Sequence, residues 1–343
     1  MAYDGVIDDV KKAIALGEPG RVPVLALSEE FDVKWYSKWD YETVCQDGDK
    51  IAEVWIAAIE EFGYDWAWVQ VDDCFEFEPL GVGCPGEGDI LRATKDHLEC
   101  TRESLGSWRV FDPLTAGRVP EKLKAIRKIR ARFGDTVLVE GSAAAPYSCV
   151  GLACGLTETM MLAMTDRALL DDMCEFFVEQ QCRYIKAQVE AGAHAIWLGD
   201  CNAYSSMISV DQYRDLALPS CKELVTRCKN DFDVMFHLHN SETKVPYLLA
   251  EIETGADIIS AGPDADIAAV KEALSGKCCF TGNLDPIEVL MRGTPDQVAA
   301  EAERIMGICK PGGGYLFNTG EMNPRDTPAE NMRAMVQAAK RLA

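Results

Sequence analysis

Ala195-Ile-Trp-Leu-Gly-Asp200 and, beyond an intervening amphipathic stretch, Val234-Met-Phe-His-Leu-His239 decide the fold. Each is a short apolar run that closes on a polar or charged side chain. Set between longer helical patterns, such a run reads as a parallel strand reached by a crossover helix. Working outward, the same unit recurs at Val22–Leu27, Trp66–Asp72, Val137–Gly141, Ile258–Ala261, Cys279–Gly282 and Tyr315–Thr319. Eight such units alternating with helices predict one α/β domain over residues 1–343, a closed (β/α)8 TIM barrel with an N-terminal helix.

The helices between these runs carry start signals. Thr294-Pro-Asp-Gln297 and Thr327-Pro-Ala-Glu330 both read as a capping box with proline at the first helical position. Residues 81–116, opening on Gly81-Val-Gly-Cys-Pro-Gly-Glu-Gly88, are too long for a plain strand-to-helix connection. They are expected to form a lid or partner surface over one barrel mouth.

Composition excludes several classes. With 34 Lys+Arg against 56 Asp+Glu the formal charge is −22, which argues against binding to nucleic acid through a net positive field. No apolar run approaches a membrane span. Met1–Ala15 hold Asp4, Asp8 and Asp9 without a long apolar stretch, so no signal-peptide pattern is expected. Fourteen cysteines without a C-x-x-C pair suit free thiols in a reducing cytoplasm.

In a TIM barrel the chemistry lies at the carboxyl ends of the strands. His237 and His239 are the sharpest candidates there, because residues two apart on a strand face the same side. Two of the chain's four histidines in one tripeptide suit a metal such as Zn2+, completed by a carboxylate and open at a fourth position. Glu321, turned inward after the flexible Gly320, ranks first as that carboxylate, ahead of Glu140 and Asp200. Asp72 or Asp73 suits general acid or base work, against the alternative of a turn stabiliser. Tyr147, Phe236, Phe317 and the Trp66/Trp68 pair offer an aromatic lining or ordinary core. His194 reads as structural, and His97 as surface or substrate-facing.

These motifs carry a resemblance. Thr281-Gly-Asn-Leu-Asp-Pro286, Gly293-Thr-Pro295, Gly312-Gly-Gly-Tyr-Leu-Phe317 and Gly320-Glu-Met-Asn-Pro-Arg-Asp-Thr-Pro-Ala-Glu-Asn331 resemble the uroporphyrinogen decarboxylase superfamily. Weaker agreement runs through Gly20-Arg-Val-Pro23, the Asp72 region, Ala144–Pro146 and Ser209-Val-Asp-Gln-Tyr213. The superfamily includes decarboxylases and cobamide-dependent methyltransferases. The decarboxylases hold propionates on an arginine-rich stretch after the first strand, where this chain has Leu27-Ser-Glu-Glu-Phe31; Asp72 does stand where they keep a catalytic aspartate. The methyltransferases place zinc on a His-x-Cys pair and a Gly-Cys loop, where this chain has His237, His239 and Glu321.

The resemblance therefore implies a zinc-dependent, O-demethylase-like methyltransferase. It would move a methyl group from a small methoxylated donor, aromatic or related, to the cob(I)amide of a separate corrinoid-binding protein. Glu140, Tyr147, Asp200 and Tyr213 are expected to bind substrate, and a homodimer is compatible with this reading. The alternative is a metal-free decarboxylase-like lyase working through Asp72. A rival ligand set, Glu61, Glu76 and His97, resembles a metal pattern of some aromatic O-demethylase components. It spans both barrel faces, since roughly seven strand residues at about 3.3 Å each separate Glu61 from Glu76.

Overall fold

In the computed structural model, which describes residues 3–343, seven parallel strands follow one another in chain order around one sheet. They are β1 (Trp66–Trp68), β2 (Leu138–Ala144), β3 (Ala195–Gly199), β4 (Met235–His239), β5 (Ile258–Ser260), β6 (Cys279–Leu284) and β7 (Tyr315–Thr319). The eighth expected strand, Val22–Leu27, is not regular: only Val24 bridges, to Phe317. Pro23 has no N–H to give, and the Val24 N–H is taken by the Asp65 side chain at 3.0 Å. The segment still fills the gap. Leu25 N–H donates to Phe317 O at 2.9 Å, Phe317 N–H to Pro23 O at 3.0 Å, and Asp65 N–H to Val24 O at 2.9 Å, which closes the ring between β7 and β1.

Alternation along the strands sorts side chains into two cores. Ile196, Leu198, Phe236, Leu238 and Phe317 face outward into the layer packed against the helices. Phe236 and Phe317 are therefore core, not pocket lining. Trp66, Trp68, Leu138, Trp197, Ile258 and Leu316 fill the inside. The expected N-terminal helix, Val6–Ile14, presses buried Val10 and Ala13 against that inner cluster and plugs the lower end. Trp68 and Trp197 meet with ring centroids 5.3 Å apart. Truncating either to alanine removes contacts that cost about 3–5 kcal/mol in a tight core.

One capping expectation holds and one does not. Thr294 and Gln297 form the reciprocal box at the head of helix Pro295–Cys309. The closing helix begins at Ala329 with Pro328 in the cap position, one residue later than the Thr327 box requires. The Thr327 hydroxyl is buried with no hydrogen-bond partner among the described residues. Residues 81–116 contain one short helix, Arg102–Ser107. They are tied to the rest of the chain by Leu98 N–H to Ala153 O at 2.8 Å and by Arg92, which reaches Glu78 at 2.8 Å and Glu42 at 2.9 Å. All fourteen cysteines are free thiols, buried except Cys100, Cys182 and Cys201. No single helix among the described residues is long and apolar enough to cross a membrane.

Candidate active site at the barrel mouth

Strand β4 sends both imidazoles inward at different depths. His237 lies beside Trp66, with ring centroids 5.9 Å apart, while His239 lies one step nearer the mouth against Trp197 at 5.2 Å. A single hydroxyl links them: Ser260 Oγ is 2.7 Å from His237 Nε2 and 3.0 Å from His239 Nδ1. The other nitrogen of His237, Nδ1, meets Glu140 Oε1 at 3.2 Å. Burial holds His237 well below the usual histidine range, hence neutral, and pushes the Glu140 carboxyl well above the usual carboxylate range.

His239 Nε2 points the other way, to Glu321 Oε2 at 3.3 Å. Glu321 reaches this spot because Gly320 passes against the backbone of the β5 loop. A Cβ on Gly320 would stand 2.5 Å from Pro263 N, so close approach, rather than an unusual φ, requires the glycine. Burial raises the Glu321 pKa, but His239 and the Met322 N–H outweigh it and hold the group below its ordinary value. Glu321 also accepts from Ser241 Oγ.

The donor set suits a borderline ion, and the His239–Glu321 separation matches the edge two ligands span on a tetrahedral ion with bonds of about 2.0 Å. His237 is engaged on the opposite side of the His239 ring. No group of three or more His, Cys, Asp or Glu side chains among the described residues stands close enough to share one ion. Glu61, Glu76 and His97 are kept apart. Glu61 is exposed and ion-paired with Arg333, Glu76 is buried against Gln181 at 2.9 Å, and His97 is exposed on the 81–116 segment.

Beside His239 opens a small cavity of about 50 Å³ above β1–β3, lined among others by Gln70, Asp73, Glu76, Trp197, Cys201 and Asn202. Asp73 accepts from Gln70 Nε2, and the crowding walls together with the charge of Asp72 push its carboxyl up to about 6. Glu76 Oε1 takes Ala144 N–H at 2.7 Å as well as Gln181, and burial raises its pKa. Crowding by the surrounding walls and then the nearby acids Glu321 and Asp73 push up the Cys201 thiol, although the residue keeps surface open to solvent.

Asp72 lies behind this wall. Arg118 grips it with Nη1–Oδ2 at 2.8 Å and Nη2–Oδ1 at 3.1 Å, and Cys74 N–H donates to Oδ1 at 2.9 Å. Asp73, its neighbour, is the one that faces the cavity. Of the expected substrate contacts, Glu140 sits beneath His237. Asp200 is fully buried and accepts from Ser148 Oγ at 2.7 Å, with burial pushing its carboxyl up to about 7. Tyr147 borders an outer groove with Met160 and Met164, and Tyr213 packs on Tyr247 at 4.9 Å. None of these four lines the cavity. Gln70, Trp197, Cys201 and Asn202 were not singled out from sequence, although Gln70 and Trp197 sit at inward positions that strand parity alone would have marked. His194 is structural: its Nδ1 accepts Val139 N–H at 3.0 Å at the lower end of β2.

The model of the family described as uroporphyrinogen decarboxylase (URO-D) matches residues 7–342. This chain belongs to the URO-D family. Among its relatives, the uroporphyrinogen decarboxylase of Chlorobium phaeobacteroides is 27% identical over 319 residues, covering 88% of this chain and 87% of that protein. The methylcobamide:CoM methyltransferase MtbA of Methanosarcina mazei is 28% identical over 300 residues, covering 86% and 85%. A solved methyltransferase from Methanosarcina mazei superposes with a TM-score of 0.87 at 21% identity, covering 98% of both chains, which shows a shared URO-D fold.

Proposed function

We propose that this URO-D family member is a corrinoid-dependent methyltransferase that takes a methyl group from a small methoxylated donor and passes it to the cob(I)amide of a separate corrinoid protein. The observation that carries this reading is the His239–Glu321 pair, aimed together at the mouth beside the cavity. His237, His239 and Glu321 would hold zinc after a rearrangement: His237 lies on the Nδ1 side of the His239 ring and Glu321 on its Nε2 side, so His237 would leave Ser260 and the His239 ring would turn for the three to meet. Bound zinc supplies a Lewis acid that polarises the methyl-bearing oxygen.

The chain's own residues do the rest. Burial keeps the His237 ring neutral, the form that ligates, and Glu140 fixes its orientation. The cavity walls seat the donor next to His239 and exclude water, and residues 81–116 are proposed to cover that mouth where the corrinoid protein docks. The methyl carbon leaves the ether oxygen for the electron pair of the corrinoid protein's cob(I)amide, and the oxygen keeps the pair of the broken C–O bond and takes a proton from solvent. The relative named as a methylcobamide methyltransferase supports methyl transfer, beside relatives of equal similarity that are named decarboxylases. So does the engagement of both Asp72 oxygens by Arg118, which leaves that carboxylate turned away from the cavity.

The test is metal content by elemental analysis of untagged, zinc-supplied protein, with His237→Ala, His239→Ala and Glu321→Ala beside it, followed by methyl transfer to cob(I)alamin read from the cobalamin spectrum. Near-stoichiometric zinc, lost in all three variants, together with methylation from a methoxyaromatic, is the expected result. A wild type that takes up no zinc overturns the mechanism.

A further inference from the structure

The cavity beside His239 is asymmetric in charge. Its wall carries two carboxyl groups, Asp73 and Glu76, and no lysine or arginine lines it. The two nearest cations are committed elsewhere. Arg118 is locked on Asp72, Glu78 and Cys45 O, and Lys122 Nζ is buried on Ser142 O at 3.1 Å and Tyr184 OH at 2.9 Å. The wall nevertheless offers acceptors. Asp73 receives one protein hydrogen bond, at Oδ1, and both bonds to Glu76 fall on Oε1, so Oδ2 of the first and Oε2 of the second take none from the described residues. Trp197 supplies the opposite kind of surface, a flat ring that contacts both the cavity and His239. Its own Nε1 is buried without a partner among the described residues.

A carboxylate, sulfonate or phosphate brought into this space would meet two carboxyl groups and no cation on the wall, the Lys122 charge acting only from behind it, and its lost hydration would go unreplaced. An uncharged ring carrying a hydroxyl would lie on Trp197 and donate to a carboxylate oxygen that lacks a partner. A hydrogen bond to a charged acceptor is among the stronger ones. Resting on the methyltransferase reading, we infer that Asp73 and Glu76 set the donor's class: an uncharged phenol that bears its methyl ether beside a free hydroxyl, with anionic methoxyaromatics excluded. Asp73 is the specificity-determining residue, because it is the one open to the cavity.

The test is binding to the isolated protein, without corrinoid partner or turnover, followed by tryptophan fluorescence with Trp197→Phe as the control for the reporting ring. Three probes separate the contributions: 2-methoxyphenol, methoxybenzene and 4-methoxybenzoate. The expected order is 2-methoxyphenol tighter than methoxybenzene by about tenfold or more, as a hydrogen bond to a charged group implies, with 4-methoxybenzoate weakest. Asp73→Asn, which keeps an acceptor but removes the charge, is expected to raise 4-methoxybenzoate binding toward that of methoxybenzene. Asp73→Ala is expected to abolish the advantage of the phenol.

Equal binding of all three probes by the wild type, or a 4-methoxybenzoate affinity that Asp73→Asn leaves unchanged, overturns this inference and leaves the methyltransferase reading standing. Binding by none of them overturns the inference and the methoxyaromatic reading together. Methyl transfer to cob(I)alamin from a non-aromatic donor would then show that the enzyme class survives.

Discussion

Arg118 and Asp72 form a two-point ion pair sealed behind the cavity wall, with nearly the whole of both side chains removed from solvent. Removing one charge from such a pair strands the other. Asp72→Asn is expected to lower the unfolding free energy by about 3 kcal/mol, measured by urea denaturation, while zinc content stays at the wild-type level. A variant of full stability that had lost activity would instead restore Asp72 as a catalytic group.

His194 makes stability depend on pH. Burial, then the Arg130 charge, brings its pKa from 6.5 down to about 4, and its Nδ1 already accepts the Val139 N–H, so protonation there would set donor against donor. Between these values the unfolded chain binds a proton that the folded chain does not. The contribution is complete above the unfolded pKa and is lost as pH falls through the folded one. It amounts to about 2–3 kcal/mol. Urea midpoints near pH 7 and near pH 4 should differ less in His194→Gln than in the wild type.

Two similar sequence signals should respond oppositely to mutation. Thr294 caps its helix by accepting the Gln297 N–H at 3.3 Å, so Thr294→Ala is expected to cost about 1 kcal/mol. The Thr327 hydroxyl is buried with no partner among the described residues. Thr327→Val keeps the shape and is expected to be neutral or stabilising in thermal melts.

Glu140 offers a check on the proposed metal centre from one residue further out. It meets the His237 nitrogen not used for Ser260. Glu140→Leu should weaken zinc binding about tenfold or more in competition with a chromogenic chelator, as loss of a partner that orients a ligating histidine does. Glu140→Gln should recover much of it.

Strand parity was legible in the chain; depth was not. The alternation of Phe236-His237-Leu238-His239 announced that both histidines enter the barrel, and they do. A two-residue step also moves about 6.6 Å along a strand, which puts His237 with Trp66 and Glu140 in a lower layer while His239 meets Glu321 at the mouth. Polar groups at strand ends were natural candidates for substrate contacts, yet the course of the chain after each strand turns Asp200 and Asp72 into the wall. Asp73, Gln70 and Trp197 face the cavity instead. The first strand failed for a local reason: Pro23 lacks a donor and Asp65 captures the next N–H, so the ladder never becomes regular although the position is filled.

That irregular closure governs how the chain must assemble. The seam joins Val24 to Phe317, residues separated by almost the whole sequence, so neither open edge of the sheet can be covered until the chain is nearly all made. Until then the Val22–Leu27 segment and the most recently formed strand present unpaired backbone to any other strand within reach, the situation in which nascent sheets aggregate. Contacts this distant in sequence also form slowly. Translation and folding are thereby tied together: the barrel that shelters the histidines is sealed only after the last strand has emerged.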